Sequence, residues 1–436
     1  MSVGVENERK SEAPLSNLSR RSLTVLLTAL ALVLGALVFF RTFVACIERI
    51  DPETAIAIRA SDANAELDIA SNRLASIANA EGSIRDQNLQ ASEELRQRLL
   101  RALYVEPLSA QAFELLGMLS VAGGDTISAK KYMQAAAARS PRSPAALYWL
   151  LRYSLSANDI EDVIDRADAL LRIRPDLISG VTPALGQIAG TPAGLERLIA
   201  TLSKGPPWRK KFFLALNGKT KSVDTPKKLL VGLVYSDHPP TPNEIGTYLR
   251  YLINSKYYER AYSAWLEFLS PTQLEDARLL FNGGFRFRPS GLPFDWTIEK
   301  SHGALTEIVA AQGETDMNAL SIEFGGGRVD FHPVSQVLVL APGRYRLHGI
   351  SKGSLKGLRG LKWQLACIEQ PSRALAESKA FLEESSDWTD FSLSFEIPAS
   401  CRAEIIRLIL DARSASETLV TGSIAFARLR ILRDDK

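Results

Sequence analysis

Between Ser22 and Phe40 the sequence carries no charge, and the run Leu-Thr-Val-Leu-Leu-Thr-Ala-Leu-Ala-Leu-Val-Leu-Gly-Ala-Leu-Val-Phe-Phe has the length a helix needs to cross a hydrocarbon core. Residues 22–40 are therefore expected to span a membrane. Arg20 and Arg21 abut the N-terminal end of this run, while the far side offers Arg41 and then Arg49 amid Glu48 and Asp51. The positive-inside bias makes residues 1–21 a cytoplasmic tail of an inner (cytoplasmic) membrane protein and puts the bulk of the chain in a periplasmic or other extracytoplasmic space. Met1 to Ser19 mixes charge with Ser, Asn and Pro and has no periodicity, as a disordered tail would. A cleaved signal peptide is the rival reading. Against it, the apolar run exceeds an ordinary signal core and Arg41 interrupts any small-residue cleavage site. A lipid anchor at Cys46 is disfavoured because Arg41 separates it from the run.

A chain of 436 residues exceeds one ordinary core, so two or three folded units are expected behind the anchor. Lys+Arg 52 against Asp+Glu 49 leaves +3 at pH 7, which lacks the global basic footprint that phosphate contacts require. Nucleic acid is excluded as a partner on that ground. In an oxidising compartment Cys367 and Cys401 are expected to pair; two buried thiols are the alternative. No Cys-x-x-Cys occurs and His238, His302, His332 and His348 are scattered, so neither a metal site nor a cofactor is expected.

Past residue 51 the chain becomes Ala-rich, with Leu67, Ala70, Leu74 and Ile77 at helical spacing. Pro107, Pro141 and Pro175 recur at 34 residues, from 141 − 107 and 175 − 141. Phe113, Leu116 and Gly117 stand in one helix of the first full period, and Ala129, Ala136 and Pro141 in the next. Leu147, Leu150, Leu151, Val163, Leu170 and Pro175 follow in the second period. This pattern resembles the tetratricopeptide repeat, which implies stacked helix pairs over residues 51–203. Leu151 departs from the small residue of the pattern. Before Pro107 only Leu95, Leu99 and Ala102 match, and after Pro175 the pattern blurs through Gly180, Gly186 and Gly190. The resemblance places Gln111, Glu114, Met118, Tyr148 and Arg152 on a groove, a mixture suited to a protein partner. An ordinary solvated groove is the alternative.

Residues 204–240 contain Lys204, Arg209, Lys210, Lys211, Lys219, Lys221, Lys227 and Lys228 against the early acid Asp224, and read as a basic linker. Anionic glycan or lipid headgroups are its candidate partners, with a solvated loop as the plainer reading. Thr241-Pro242-Asn243-Glu244 is a helix start with a capping box, opening a helical hairpin over residues 241–280.

After Phe281 the period falls to two. Phe391, Leu393, Phe395 and Ile397 alternate with polar residues, as do Tyr345 and Leu347 with Arg344, Arg346 and His348. Residues 281–436 are thus expected to form an all-β sandwich or jelly roll, making the chain multidomain: transmembrane helix, all-α repeats, all-β sandwich. Asn282-Gly283-Gly284-Phe285, Trp296, Leu320-Ser321-Ile322, Gln336, Pro342-Gly343-Arg344-Tyr345 and a closing strand through Phe426 resemble carbohydrate-binding modules of the galactose-binding-like jelly roll. That resemblance implies possible polysaccharide binding, with Trp296, Trp363 and Trp388 as stacking candidates. The residues themselves favour a core: Trp296 follows Pro293-Phe294-Asp295 in a region that closes such sandwiches, Trp388 opens a strand, and Trp363 alternates with Leu361 and Leu365. Members of that family commonly hold a structural calcium through carboxylates. Arg286 and Ala427 stand near those places here, so that calcium site is expected to be lost.

No nucleophile elbow, phosphate loop or zinc-protease motif occurs. Asp295 and Glu323 would serve a glycan-modifying enzyme only if paired across a cleft. The leading expectation is a non-enzymatic scaffold or assembly factor, in polysaccharide export or envelope biogenesis. Its repeats would bind protein and its sandwich would contact glycan or protein. The alternatives are a carbohydrate-binding module on a helical spacer and, third, the enzyme.

Overall fold

The computed structural model describes residues 16–51, 53–54, 58, 63–79, 85–311, 316–382 and 384–434; most of the expected cytoplasmic tail, residues 1–15, lies outside them. The side chain of Ile77 also lies outside the described set. The first helix, α1, runs Ser16–Ile50. Its apolar part is Val25–Ile47, with a mean hydropathy of 2.4 and 6% of the window buried, long and apolar enough to cross a membrane by length and composition; a signal sequence passes the same criterion. Arg41 continues the helix and does not end it. Thr28 and Thr42 return their hydroxyls to the carbonyls of Val25 and Val38, at 3.0 and 2.7 Å, which satisfies both donors without water.

The chain divides into two compact units between Ala157 and Asn158, inside the stretch expected to be one repeat array. In the first unit α1 is followed by α2 (Ala63–Asn79), α3 (Arg85–Val105), α4 (Ala110–Ala122), α5 (Thr126–Arg139) and α6 (Pro144–Ser156). Leu67, Ala70, Leu95, Leu99, Leu115 and Leu116 form a buried core shared by α2, α3 and α4. Small residues let neighbouring helices approach: a Cβ on Gly117 would stand 2.9 Å from Met133 Cε of α5.

The second unit opens with α7 (Ile160–Ile173). Side-chain caps carry the 34-residue period to this point. Ser109 and Ser143 cap α4 and α6, and Asp125 and Asp159 cap α5 and α7, with 143 − 109 and 159 − 125 both 34. Each supplies an oxygen to a first-turn N–H that the helix itself leaves without a partner. One period further the capping position is Leu177, which has no side-chain acceptor; α8 (Ile178–Ile188) starts there uncapped, after a short 3-10 turn at Pro175–Leu177. The next cap, Thr191, opens α9 (Pro192–Leu202) two residues early. The blurring after Pro175 thus has a local cause.

Residues 204–240, expected as a linker, instead fold. They hold α10 (Arg209–Leu216) and α11 (Thr225–Gly232). Trp208, Phe212, Phe213, Leu216, Leu229, Leu230 and Leu233 are all buried there, and the lysines occupy the opposite faces. Apolar residues at helical spacing outweigh the charge run, because long cationic side chains reach solvent from the exposed side of a helix. Arg209, counted in that run, is itself buried against Glu244. α12 (Pro242–Asn254) begins with the capping box: Thr241 N–H donates to Glu244 Oε2 at 2.9 Å and Glu244 N–H to Thr241 Oγ1 at 3.3 Å. α13 (Tyr258–Leu266) and α14 (Pro271–Glu275) complete the helices, fourteen among the described residues.

Nine strands follow among the described residues: β1 (Ala304–Ala310), β2 (Asn318–Arg328), β3 (Val334–Leu338), β4 (Gly343–Gly357), β5 (Leu361–Cys367), β6 (Ala374–Glu377), β7 (Ser385–Ile397), β8 (Glu404–Leu410) and β9 (Leu419–Arg433). They form two antiparallel sheets, ordered β1-β2-β9-β4-β7 and β3-β8-β5-β6. Alternate residues of both sheets meet in one core containing Leu320, Ile322, Leu347, Leu408 and Phe426. The hairpin packs onto this sandwich, so no linker separates them. Trp265 meets Phe281 edge-on with centroids 4.9 Å apart, and Tyr262 meets Phe294 at 5.4 Å. Tyr258 donates to Glu369 at 3.2 Å, and Arg402 donates to the same carboxylate at 2.9 Å. Those bonds, the Arg402 guanidinium first, hold the Glu369 carboxyl below its usual range, while burial raises the Tyr258 phenol.

Cys367 and Cys401 form a disulfide with Cα atoms 5.6 Å apart, joining the end of β5 to the approach to β8. The bridge closes a loop of 34 residues, and the chain-entropy relation puts its contribution at roughly 3–4 kcal/mol. Alkylation with mass mapping of protein taken directly from its native source should find both cysteines blocked until reduced, and Cys401→Ser should lower unfolding stability by that amount. Two freely alkylated thiols would remove the support for an oxidising compartment.

Candidate functional site

The outer face of the five-stranded sheet differs from an ordinary solvated face. Because Tyr345, Leu347, Leu355, Ile424 and Phe426 point into the core, their alternates point out: Arg346, His348, Ile350 and Lys352 on β4, and Ser423 and Ala425 on β9. β9 carries one extra residue opposite His348–Ile350, with Arg428 at φ 52°, so that Ala427 and Arg430 lie on the same side. Further along, Gly353 and Gly422 take φ values of 136° and 105°, and Cβ atoms there would collide with Ser423 O and Ser354 O. A side-chain residue at either place would part β4 from β9.

On this face Ala319, Ala425 and Ala427 form a shallow floor, joined by Met317, Ala311 and Ile350, and Trp388 packs against it. The three alanines leave room for the indole to rest on the sheet. Trp388 is half-buried and its Nε1 is buried without a hydrogen-bond partner among the described residues. Two residues along β7 on the same side stands Asp390, which pairs across the ladder with Ile350. Next to it opens a cleft of about 520 Å³ lined by His348, Ile350, Asp390, Arg428, Arg430 and Arg278 among others. A half-buried large aromatic near a cleft of mixed apolar and polar lining suits a ligand with apolar faces and many hydroxyls.

The other two tryptophan candidates are core residues. Trp296 and Trp363 are both 0% exposed, with ring centroids 5.8 Å apart, and Trp296 Nε1 donates to the Asn282 carbonyl at 3.0 Å. They stabilise the sandwich from inside and cannot stack on a ligand. The groove set is also partly engaged internally. Glu114 accepts a hydrogen bond from the Ser143 hydroxyl, tying α4 to the cap of α6, and Met118 packs against the first unit's core. Tyr148 is half-buried, while Gln111 and Arg152 remain exposed.

Asp295 does not face a cleft: its Oδ2 accepts from Ser290 N and Oγ at 2.7 and 2.8 Å, and its Oδ1 from Trp296 N at 2.7 Å. It is a loop-fixing residue, whereas Glu323 is exposed on β2. Arg286 is exposed 4.0 Å from Asp276, and Ala427 is buried in the alanine floor. Among the described residues no group of three or more His, Cys, Asp or Glu gathers to hold a metal. Sequence reasoning missed His348, Lys352, Asp390 and Arg430 as a group. Register was the missing information, though one signal was present: neither β4 nor β9 contains Asp or Glu.

No family model matches the chain, and no curated protein matches it. Solved structures with a similar fold exist, and the likeness falls on the C-terminal β part. A carbohydrate-binding module of family 4 is 15% identical over 36% of this chain and 99% of its own, with a TM-score of 0.26. A family 61 module solved in complex with β-1,4-galactotriose is 15% identical, covers 36% of this chain and 100% of its own, and has a TM-score of 0.25. A β-1,3-glucan-binding family 6 module from Bacillus halodurans is 10% identical over 32% and 96%, with a TM-score of 0.22.

Proposed function

We propose that this chain is a membrane-anchored, extracytoplasmic protein whose β-sandwich binds polysaccharide on the outer face of its five-stranded sheet. The observation that carries this reading is Trp388, a half-buried indole seated on an alanine floor of the sheet's outer face, beside an open cleft. Sugar rings present apolar C–H faces that stack on such a ring, while surrounding polar groups hold their hydroxyls. The reading is binding and not catalysis, because Asp295 is occupied in its own loop.

In the helical part, the 34-residue spacing of caps favours a second reading alongside the first. Tetratricopeptide-like pairs there recruit a protein partner through exposed Gln111 and Arg152, which makes the whole chain a scaffold in polysaccharide export or envelope biogenesis. Crosslinking from native membranes through residue 111 should capture one dominant protein.

The glycan reading is tested by affinity electrophoresis of the full chain in detergent against neutral and acidic polysaccharides, with Trp388→Ala beside the native protein. The expected result is retardation by at least one glycan and about a tenfold weaker interaction in the variant, equivalent to about 1.4 kcal/mol. Undiminished retardation of a folded Trp388→Ala chain would place any sugar site elsewhere.

A further inference from the structure

We infer that the ligand of this sheet face is an acidic polysaccharide, one whose sugar units carry carboxylates; the inference rests on the glycan-binding reading above. Its basis is the charge of the two central strands. β4 and β9 are neighbours in the ladder and together bear four plus three Lys or Arg residues without a single Asp or Glu; of these Arg433 lies on the core side, against the Tyr345 ring. A chain with 52 basic and 49 acidic residues does not produce that segregation through overall composition.

Two of these cations are neutralised at the end of the face, Arg344 by Glu396 and Arg346 by Asp434. Lys352, Lys356 and Arg430 have no ion-pair partner among the described residues. Arg430 also stands directly opposite His348 across the β4–β9 ladder. The His348 imidazole adds a hydrogen-bonding group beside the Arg430 guanidinium.

Position supplies the second argument. Ile350 pairs with Asp390 and Ser351 with Thr389, so Lys352 follows on the outer face beside the strand position of Trp388. The indole can take the apolar face of a sugar ring while Lys352 on one side and Arg430 on the other reach its substituents. A guanidinium offers the planar fork that matches a carboxylate, and a partly desolvated pair of this kind is stronger than a neutral hydrogen bond. Arg278 and Arg428 line the same cleft as Arg430 and extend the positive surface past a single sugar unit. Of the two acids in that cleft, Asp276 lies 4.0 Å from Arg286, leaving Asp390 to accept from ring hydroxyls. Glu307 and Glu323 belong to β1 and β2, at the other side of the alanine floor, and repel a second anionic strand from that half of the sheet.

The test uses the full chain in detergent with three uronate polymers of different ring stereochemistry, polygalacturonate, alginate and hyaluronan. Each is run beside its methyl ester, which keeps the backbone and removes the charge. Polyglutamate serves as a polyanion without sugar. At least one uronate polymer should bind about tenfold more tightly than its ester. That preference should shrink at high salt and vanish in the Lys352→Gln/Arg430→Gln double variant while ester binding persists. Equal affinity for polymer and ester, or for neutral glycans alone, would overturn the acidic assignment and leave the glycan reading standing. Polyglutamate binding as tight as the best uronate would overturn it too, as unselective charge attraction. A folded chain that retains no polysaccharide of either kind would remove the glycan reading itself.

Discussion

Replacing Arg209 by Met should cost the second unit about 3–5 kcal/mol of unfolding stability, the usual range when one partner of a buried ion pair is removed. The guanidinium and the Glu244 carboxylate are 8% and 5% exposed and make two parallel bonds, Nε to Oε1 and Nη2 to Oε2, both 2.9 Å. The same guanidinium reaches the carbonyls of Leu202 at 3.2 Å, His238 at 2.6 Å and Pro239 at 3.3 Å. One side chain therefore gathers the end of α9, the turn before α12 and the α12 N-terminus. Methionine would leave Glu244 charged and buried, with three carbonyls stripped of a donor. Lysine keeps the charge but lacks the fork, and should recover only part of the loss. The double change Arg209→Met/Glu244→Met should be less damaging than the single one, since an apolar pair removes the desolvated charge altogether. Urea unfolding of the three variants measures this. A single-variant loss below about 1 kcal/mol, the value of a surface pair, would contradict the assigned role.

Stability of the sandwich should fall as pH rises from 5 to 8, and Glu404→Gln should remove that fall. Glu404 is buried at the start of β8, where Oε2 accepts from Leu340 N at 3.1 Å and Oε1 has no partner among the described residues. Burial pushes its carboxyl from an ordinary 4.5 up to about 8, against a smaller opposing effect of backbone hydrogen bonds. The folded chain thus keeps a proton that the unfolded chain releases. Its contribution is fully present below pH about 4.5 and is lost as pH rises through about 8. Between these limits the slope is on the order of 1.4 kcal/mol per pH unit at most. Glutamine has the same shape and no titration, so the variant should match or trail the native chain at pH 5 and exceed it at pH 8. Denaturant midpoints across that range give the comparison, and the difference between the two proteins cancels every other titrating group. Parallel pH dependences would show that Glu404 is not the source.

How far each feature was legible depended on whether its cause is local. The capping box at Thr241–Glu244 is readable because a helix end needs an oxygen within three residues, whatever surrounds it; the caps at 34-residue spacing follow the same local rule, although the period was read from the prolines alone. The same rule accounts for the loss of pattern at Leu177. Residues 204–240 were misjudged because a count of lysines ignores the side of a helix on which each lies; Trp208, Phe212 and Leu216 mark the other side at intervals of four.

The tryptophans divide along the same line. Each stands in or beside a strand, and a strand offers two faces that differ by one residue. Leu361 and Leu365 share a side with Trp363, which faces the opposite sheet, and Ser386 and Asp390 share one with Trp388; the three alanines from other strands over which Trp388 faces outward lie outside any such window. Ala319, Ala425, Ala427, Lys352, Arg430 and Trp388 become a group only when β2, β9, β4 and β7 align in register, at separations in sequence of up to about a hundred residues.

By itself the sequence determined the apolar N-terminal helix, the capped helix start at Thr241, the alternating strands and the residue types able to form a disulfide, because each follows from hydrophobic length, local hydrogen bonding or composition. Only the tertiary structure decided that Trp388 rests on alanines of other strands, that the hairpin joins the sandwich through Trp265 and Phe281, that Arg209 finds Glu244 and that β4 lies beside β9. Those outcomes are long-range pairings set by how whole faces bury one another, and no short window of residues contains both partners.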